Sequence, residues 1–188
     1  PSPDWLKERL EKAGIRSINN VVDVTNYIML DIGHPMHAFD YAKLAGKKIV
    51  VRSAGKDEKI VTLDNAERNL DSSMLVIADA EKPVAVAGVM GGLHSSVTDG
   101  TTSVLLEAAF FNPTSVRKTS KRLALMSDSS YRFERGTNID NVPIALNEAA
   151  RLLKQIAGGN PVKGIADAYP KPEILRQIKV RTRRVNRV

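Results

Sequence analysis

A single acidic residue inside an apolar segment is the first candidate for chemistry in this chain. Glu107 lies in Val104–Phe111, and the other seven residues of that segment are apolar. An ionised carboxylate is costly to bury without a partner. Glu107 is therefore expected either to pair with a buried cation such as an arginine, or to face a pocket and accept a hydrogen bond from a ligand hydroxyl. The residues alone leave both interpretations open.

The second candidate is a histidine in Gly33–Asp40. Pro35 restricts the backbone, and the pattern predicts a rigid loop that holds His37 beside Thr25 and Asn26 of the preceding helix. A histidine next to hydrogen-bonding side chains can orient or activate a water molecule. Taken alone, the segment is more typical of a structural histidine whose hydrogen bonds are satisfied.

Glycines mark the third candidate segment, Gly88–His94. No Gly-Lys-Ser/Thr follows and the Rossmann spacing is absent, so this is not a phosphate-binding loop of either known kind. A glycine turn between strands is the simplest interpretation. The alternative is that Gly91 keeps a side chain away, so that a flat ring can lie on the backbone.

Two other kinds of site have little support in the sequence. His34 and His37 are three residues apart, but Pro35 breaks helical geometry and no third ligand is suitably spaced, so a metal site is not expected. Cysteine is absent, which excludes disulfides and thiolate ligands within the chain. A serine triad is also not expected, since the Gly-x-Ser-x-Gly elbow is missing.

The net charge of +7 is concentrated near one end of the chain. Residues 171–188 contain seven of the 28 basic residues and one of the 21 acidic residues, which leaves residues 1–170 nearly neutral. The chain as a whole is therefore not predicted to be a basic nucleic-acid binder. One predicted helical face is basic, and it is either a solvated surface or a contact to a phosphate backbone. Its members are Arg117, Lys118, Lys121 and Arg122, and basic residues recur at Arg132 and Arg135.

Apolar spacing and capping residues predict helices towards both ends and strands in the middle. The predicted helices run from Pro3 to Ala13, from Asn20 to about Leu30, from Pro113 to about Leu125, from Asp128 to Gly136, and from Asn141 to Gly158. The predicted strands are Ile49–Arg52, Lys59–Thr62, Leu75–Ala78, Pro83–Ala87 and Val104–Ala109. This order favours an α+β fold with a compact antiparallel or mixed sheet system.

The tail is predicted to be separate from this body. Ile178–Val188 alternates apolar and basic side chains, which predicts a strand whose partners lie outside the chain. We therefore assign residues 1–170 to one domain and 171–188 to a linker and the start of another. No apolar run approaches the ~20 residues of a membrane-spanning helix. The first residues do not resemble a signal peptide, which together with the absence of cysteine predicts a cytoplasmic location.

Five segments resemble, in order, the beta subunits of bacterial phenylalanyl-tRNA synthetases. They are Asn19–Tyr27, Gly33–Asp40, Gly88–Gly92, Val104–Glu107 and Tyr131–Gly136. The resemblance extends from Pro3 to Tyr169, and chance agreement of five collinear motifs is very improbable. The chain is thus identified as a member of this family, in its B3/B4 (editing) region, and the tail resembles the start of the following B5 domain.

The resemblance implies a β-sandwich-like core flanked by helices, with a pocket that hydrolyses the ester of mischarged tyrosyl-tRNA(Phe). The matching positions are His37, Thr25 and Asn26 for catalysis, and Glu107, Gly91, Pro35, Ser127 and Ser129 for binding the tyrosyl group. Glu107 would accept a hydrogen bond from the phenol, and Gly91 would leave room for the ring. Many bacterial relatives have threonine and alanine at the last two positions, so Ser129 adds a hydroxyl to a surface expected to be apolar.

The same resemblance implies the partners. They are tRNA(Phe), the synthetase alpha subunit and the other domains of the beta subunit, in an enzyme of two alpha and two beta chains. The basic face at Arg117, Lys118, Lys121 and Arg122 would contact the tRNA. No cofactor or metal is expected in this domain, whereas ATP and Mg²⁺ are expected elsewhere in the whole synthetase. The alternative is a non-catalytic scaffold or tRNA-contacting domain. The presence of both His37 and Glu107 favours the hydrolase.

Overall fold

The computed structural model describes residues 1–170 and 178–187. Its helices are α1 (Asp4–Lys12), α2 (Asn20–Ile32), α3 (Pro113–Arg122), α4 (Asp128–Phe133), α5 (Asn141–Ala157) and α6 (Thr182–Val185). Its strands are β1 (Met36–Asp40), β2 (Val50–Ser53), β3 (Lys59–Val61), β4 (Glu67–Asn69), β5 (Leu75–Ala78), β6 (Pro83–Val86), β7 (Met90–Gly91) and β8 (Val104–Ala108). The predicted α+β class is confirmed.

Capping residues set both ends of α2, the helix that leads into β1. The side chain of Asn19 accepts a hydrogen bond from the backbone N–H of Val22 at 3.0 Å, which satisfies one of the free amides of the first turn. Gly33 ends the helix at a φ of +76°, in the left-handed region that glycine adopts without steric cost. His34 and Pro35 then connect directly to β1.

The strands form three small antiparallel sheets. β1 pairs with β8, β3 pairs with β4, and the third sheet has the order β2-β5-β6-β7. Two isolated bridges, from Phe39 to Ser96 and from Thr62 to Gly92, give further pairing between these segments. Each of these pairings is antiparallel, so of the two sheet types left open by the sequence it is the antiparallel one that the described strands form.

The β1–β8 ribbon lies between two hydrophobic cores. One core contains Leu6, Leu10, Val24, Ile28, Ala145, Ala149 and Leu152 from α1, α2 and α5, and the other is built around the four-stranded sheet. Met36 and Leu106 pack on the helical core, whereas Phe39 packs on the sheet core. Since side chains alternate along a strand, His37 lies on the same face as Phe39. Its register partner Glu107 therefore also faces the sheet core.

The predicted loop around His37 is in fact strand β1. The segment was assigned to a loop because Pro35 precedes it and no local alternation marks it, but its partner β8 is distant in sequence. Strand β4 was missed for a related reason, since Glu67–Asn69 contains no apolar residue and is defined by its pairing with β3. Long-range pairing, rather than local pattern, makes both strands.

Two further boundaries differ from prediction. The helix expected to reach Leu125 ends at Arg122, and Ala124 beyond it has a positive φ of 47°. The strand predicted over Ile178–Val188 is wrong, because the structure has the short helix α6 there and the described residues of this segment are exposed. The remainder of the predicted linker, residues 171–177, lies outside the described residues. None of the described helices is long and apolar enough to span a bilayer.

Candidate active site

His37 and Glu107 face each other across the β1–β8 ribbon. They are direct partners in the antiparallel register, so their side chains leave the same face with Cβ atoms about 4.5–5.5 Å apart. Both line a cavity of about 50 Å³. The remaining lining residues are Pro35, Met36, Ile77, Ala85, Val86, Gly88, Val89, Met90, Gly91, Phe111, Ser129 and Phe133. The structure thus brings the two candidate polar residues to one largely apolar hollow.

One oxygen of Glu107 has no partner in this hollow. The Oε2 atom is buried and makes no hydrogen bond to any residue within 1–170 or 178–187. Burial raises the pKa of Glu107 to about 8, because the charged form loses its hydration. The arginine partner that the sequence left open is therefore not found among the described residues. At pH 7 the carboxyl is mostly protonated, so it can both donate and accept a hydrogen bond.

The imidazole of His37 lies in a similar environment to the Glu107 carboxyl. Its Nε2 atom is buried and has no hydrogen-bond partner in the part of the chain that the structure describes. Burial lowers the pKa of His37 to about 4, so the ring is neutral at pH 7. The ring packs edge-on against Phe39, with centroids 4.5 Å apart and an interplanar angle of 78°. The sequence alone is more typical of a structural histidine, and both ring nitrogens of such a residue would be hydrogen-bonded.

Gly91 is in close contact with the His37 ring. A Cβ atom built on Gly91 would lie 2.3 Å from Cε1 and 2.7 Å from Nε2 of His37, distances that real Cβ atoms do not reach. The space beside this glycine is therefore taken by the His37 ring, and the role of Gly91 in leaving room for a ligand ring stays a prediction. Gly91 is placed there by β7, which pairs with β6 through the partners Ala85 and Gly91.

Helix α4 forms the opposite wall of the cavity. Its N-cap residue Ser127 makes a capping box with Ser130 and also donates a hydrogen bond to the carbonyl of Val89 at 2.6 Å. That second bond ties the start of α4 to the chain just before Gly91. Ser129 and Phe133 lie four residues apart on one face of the helix, and both line the cavity. The hydroxyl of Ser129 is thus placed on an otherwise apolar wall.

Three of the residues predicted for the site lie elsewhere. Thr25 is buried within α2, where its hydroxyl donates to the carbonyl of Val22 at 2.7 Å. Asn26 is half-buried on the same helix, and neither residue lines the cavity. Ser127 supports the wall through its hydrogen bonds without lining it. The structure therefore groups His37, Glu107, Gly91, Pro35 and Ser129, and it does not group them with Thr25, Asn26 or Ser127.

Sequence reasoning did not find the aromatic part of the wall. Phe111 and Phe133 pack edge-to-face with centroids 5.0 Å apart, and both line the cavity. Phe133 also contacts His34, a fully buried histidine whose two ring nitrogens make no hydrogen bond of ordinary geometry to a described residue. A signal for one of these phenylalanines was present in the sequence, since Phe111 ends the apolar run that contains Glu107, whereas Phe133 is distant from that run.

The basic face predicted on α3 is exposed. Arg122 pairs with Asp71 at 2.9 Å, whereas the side chains of Arg117, Lys118 and Lys121 make no hydrogen bond or ion pair with any described residue. These three cations are therefore available to an external anion.

Together, the cavity residues form a site suited to a ligand group that carries a hydroxyl on a ring. Such a group can exchange hydrogen bonds with the protonated Glu107, and the apolar wall would hold an adjoining ring. The neutral imidazole of His37 can accept a hydrogen bond from water at Nε2 and so position it. Among the described residues, His37 and Glu107 are the two ionisable members of this lining.

Comparison with known proteins gives consistent results. A family model described as the B3/4 domain matches residues 1–158. The chain is 52% identical over 188 residues, its full length, to a phenylalanine–tRNA ligase beta subunit from Syntrophotalea carbinolica. It is 55% identical over 186 residues (99% of the chain) to the protein of the same name from Moorella thermoacetica, and 54% identical over 187 residues (100%) to that from Protochlamydia amoebophila. In each case it spans 23% of the relative's length.

Proposed function

The chain belongs to the B3/4 domain family, and from that premise we propose that it is the editing module of a phenylalanine–tRNA ligase beta subunit. In this proposal it hydrolyses the ester that joins tyrosine to tRNA(Phe). The whole protein would act with an alpha subunit and with the other beta-subunit domains, and its ATP-dependent site would lie outside this chain.

One observation carries the proposal. Two polar groups, the Oε2 atom of Glu107 and the Nε2 atom of His37, are buried at paired positions of one ribbon, line one cavity and have no hydrogen-bond partner among the residues that the structure describes. Buried polar atoms are almost always hydrogen-bonded in folded proteins. An unsatisfied pair beside a glycine and two phenylalanines is the arrangement expected where a ligand supplies the missing hydrogen bonds.

Specificity would come from Glu107. Tyrosine is phenylalanine with one added hydroxyl, and an apolar synthetic pocket rejects such an addition poorly. A site that hydrogen-bonds the hydroxyl discriminates in the opposite direction, because phenylalanine would leave the carboxyl unsatisfied. Sites of this kind separate analogues by ~10⁴-fold or more.

Hydrolysis would follow at the ester end of the bound tyrosine. Water adds to the ester carbonyl, the bond to the ribose oxygen breaks, and free tyrosine and the tRNA hydroxyl leave. In the proposed complex His37 would orient the water, and the neighbouring hydroxyl of the tRNA's terminal ribose would contribute to proton transfer. Thr25 and Asn26, which the resemblance assigns to catalysis, lie outside the present cavity and would act only if binding moves β1 relative to α2.

The site must open to bind tyrosine. A cavity of about 50 Å³ is far smaller than the ~300–1,000 Å³ of ordinary ligand pockets, and the His37 ring occupies the space above Gly91. In the proposed complex the tyrosyl ring replaces the imidazole on Gly91. The His37 side chain then rotates towards the ester, where its Nε2 atom gains a partner.

The decisive experiment replaces Glu107 by alanine in the full synthetase. Hydrolysis of preformed tyrosyl-tRNA should slow about 100-fold or more, because the recognition of the hydroxyl is lost, while phenylalanine activation stays unchanged. Glu67→Ala is a matched control, since this carboxylate is exposed on β4 and pairs with Lys59 at 2.7 Å. Unchanged hydrolysis in the Glu107 variant would rule out the assigned role.

The small size of the cavity favours a second candidate, a scaffold that contacts tRNA without hydrolysing the ester. In that case a crystal grown with tyrosine would show the His37 ring still on Gly91. Saturable binding of tRNA by the intact enzyme, with no clearance of tyrosyl-tRNA, would also support the scaffold.

A further inference from the structure

A second histidine, His34, is buried behind the cavity and has no part in the proposed hydrolysis. Its side chain is 0% exposed, and it does not line the cavity. Neither of its ring nitrogens makes a hydrogen bond of ordinary geometry to any residue within 1–170 or 178–187. An apolar ring of similar size would fill this space without burying two polar atoms. Packing alone therefore does not account for an imidazole at this position.

The His34 ring contacts the helix that forms one wall of the cavity. It meets Phe133 of α4 edge-on, with ring centroids 6.0 Å apart and an interplanar angle of 87°. Phe133 in turn packs on Phe111, with centroids 5.0 Å apart, and both phenylalanines line the cavity. Because close-packed interiors transmit displacements, the position of the His34 ring affects the position of the aromatic wall.

The same ring approaches the residue that follows strand β8. Burial lowers the pKa of His34, and a contact with the backbone of Ala109 opposes that effect. A backbone group that favours the charged imidazole must be an acceptor, so the contact runs from a ring N–H to the carbonyl oxygen of Ala109. Ala109 lies two residues after Glu107, and His34 is followed directly by Pro35 and Met36, which line the cavity. One side chain thus links β1, β8 and α4.

We infer that His34 is a positioning residue of the tyrosine site. When the ligand is bound, its ring N–H donates a hydrogen bond to the carbonyl of Ala109 and its ring supports Phe133. Glu107 and the aromatic wall are thereby held at the separation that a phenol ring requires. The inference rests on the proposed function. In the present structure the contact with Ala109 falls short of hydrogen-bond geometry, and hydrogen bonds of active sites commonly tighten only in the complex.

A positioning role and a space-filling role make different demands on this side chain. If His34 only fills space, an apolar ring serves as well and its nitrogens are irrelevant. If the N–H matters, a side-chain amide that places an N–H at the same point should replace the imidazole. The amide nitrogen of asparagine matches the position of Nδ1, and that of glutamine matches the position of Nε2. One of the two amides, and not both, should therefore substitute for histidine.

The test compares the hydrolysis of tyrosyl-tRNA(Phe) and phenylalanyl-tRNA(Phe) by the full synthetase in the absence of ATP. The readout is the ratio of the two kcat/KM values, which does not depend on the fraction of enzyme that is folded. His34→Phe should lower this ratio roughly 10- to 100-fold, since a displacement of about 1 Å at a reacting group can reduce the rate ~100-fold. Either His34→Asn or His34→Gln should restore the ratio to within about threefold of wild type.

A matched control and a second measurement make the result specific. His94→Phe replaces an exposed histidine outside the cavity lining and should leave the ratio unchanged. In a crystal of the full synthetase with bound tyrosine, the distance from a His34 ring nitrogen to the carbonyl oxygen of Ala109 should be about 2.7–3.2 Å. If His34→Phe does not fold, the asparagine and glutamine variants decide, because only one of them should keep the ratio.

Three results would overturn the inference. They are an unchanged ratio in His34→Phe, an equal ratio in the asparagine and glutamine variants, and a distance to Ala109 beyond about 3.5 Å in the tyrosine complex. Glu107→Ala, measured alongside, separates this inference from the proposed function. If hydrolysis does not depend on Glu107, the proposed tyrosine site is wrong and the role of His34 falls with it. If hydrolysis depends on Glu107 but not on His34, the positioning role alone is wrong.

Discussion

Asp23 and Glu107 both direct a carboxyl group into the interior of the fold, but the two groups differ in their hydrogen-bond partners. Asp23, at the start of α2, is fully buried and accepts hydrogen bonds from the hydroxyls of Ser2 and Ser17 and from the amide of Ile18, at 2.6, 2.5 and 2.8 Å. Glu107 has a buried oxygen with no partner among the described residues. One carboxylate joins three pieces of chain, and the other faces a cavity.

The difference separates a structural acid from a candidate functional one. A buried carboxylate whose oxygens already accept hydrogen bonds from the protein contributes to folding, and it has no free acceptor for a ligand. An unfilled one reduces stability, and proteins keep such groups mostly at sites where a ligand or substrate completes them. The contrast therefore supports the assignment of Glu107 independently of the family resemblance.

The largest expected effect is on stability at Asp23. Asp23→Ala would leave two hydroxyls and one amide without their acceptor, and the free energy of unfolding should fall by about 3–5 kcal/mol. Glu107→Ala should change it by less than about 1 kcal/mol, because the lost packing is offset by removal of an unsatisfied polar group. Urea denaturation of both variants measures the two values.

Two results would break this contrast. Similar losses of stability in the two alanine variants would mean that Glu107 is also a structural acid. Retention of most of the stability in Asp23→Ala would mean that the three donors find water instead. Asp23→Asn is the matched control, because it keeps one acceptor oxygen and should give an intermediate loss.

The sequence predicted elements better than it predicted contacts. The bounds of α2 and α5 follow from local signals such as Asn19, Gly33 and Gly158, and these were found. The isolation of Glu107 in an apolar run was also visible locally. Strand β1 was missed because it exists only through β8, and the network of Asp23 was missed because its donors come from separate loop residues.

The site was predictable to a similar extent. The family resemblance placed His37 and Glu107 in one pocket, and the structure gives the reason, their pairing in the ribbon. No local pattern could show that the ring on Gly91 is that of His37. Nor could it show that Thr25 is engaged within its own helix. Such facts depend on packing between distant segments.

The second prediction concerns the dependence of stability on pH. Glu107 has a pKa of about 8 in the folded chain and about 4.3 when unfolded, so its contribution is complete below pH 4.3 and declines until pH 8. His37 has a folded pKa of about 4 and about 6.5 unfolded, so its contribution is lost as pH falls from 6.5 to 4. The two effects nearly cancel between pH 4.3 and 6.5, and only the decline from Glu107 remains above that.

Glu107→Gln isolates that decline, because glutamine does not titrate. The difference in free energy of unfolding between wild type and Glu107→Gln should fall by about 2 kcal/mol from pH 6.5 to 8, at 1.36 kcal/mol per pH unit. Urea denaturation at the two pH values measures it. A difference that stays constant would show that Glu107 titrates with an ordinary pKa, as an accessible or paired carboxylate does.

The third prediction distinguishes two adjacent glycines. A Cβ on Gly92 would lie 2.7 Å from the backbone oxygen of Val84, whereas the three atoms nearest to one on Gly91 all belong to the His37 ring. A side chain can rotate away and a sheet backbone cannot. Gly91→Ala should therefore cost about 1 kcal/mol, and Gly92→Ala, the matched control, towards 3 kcal/mol.

Relative to the stability that each variant loses, hydrolysis of tyrosyl-tRNA should be more sensitive to Gly91→Ala than to Gly92→Ala. In Gly91→Ala the displaced imidazole and the new methyl group both occupy the place proposed for the tyrosyl ring, and a displacement of about 1 Å at a reacting group can reduce the rate ~100-fold. Tyrosyl-tRNA hydrolysis by the full synthetase measures this loss. If Gly91→Ala keeps full hydrolysis while the chain stays folded, the ring does not bind on Gly91, and the cavity beside Glu107 is not the tyrosine site.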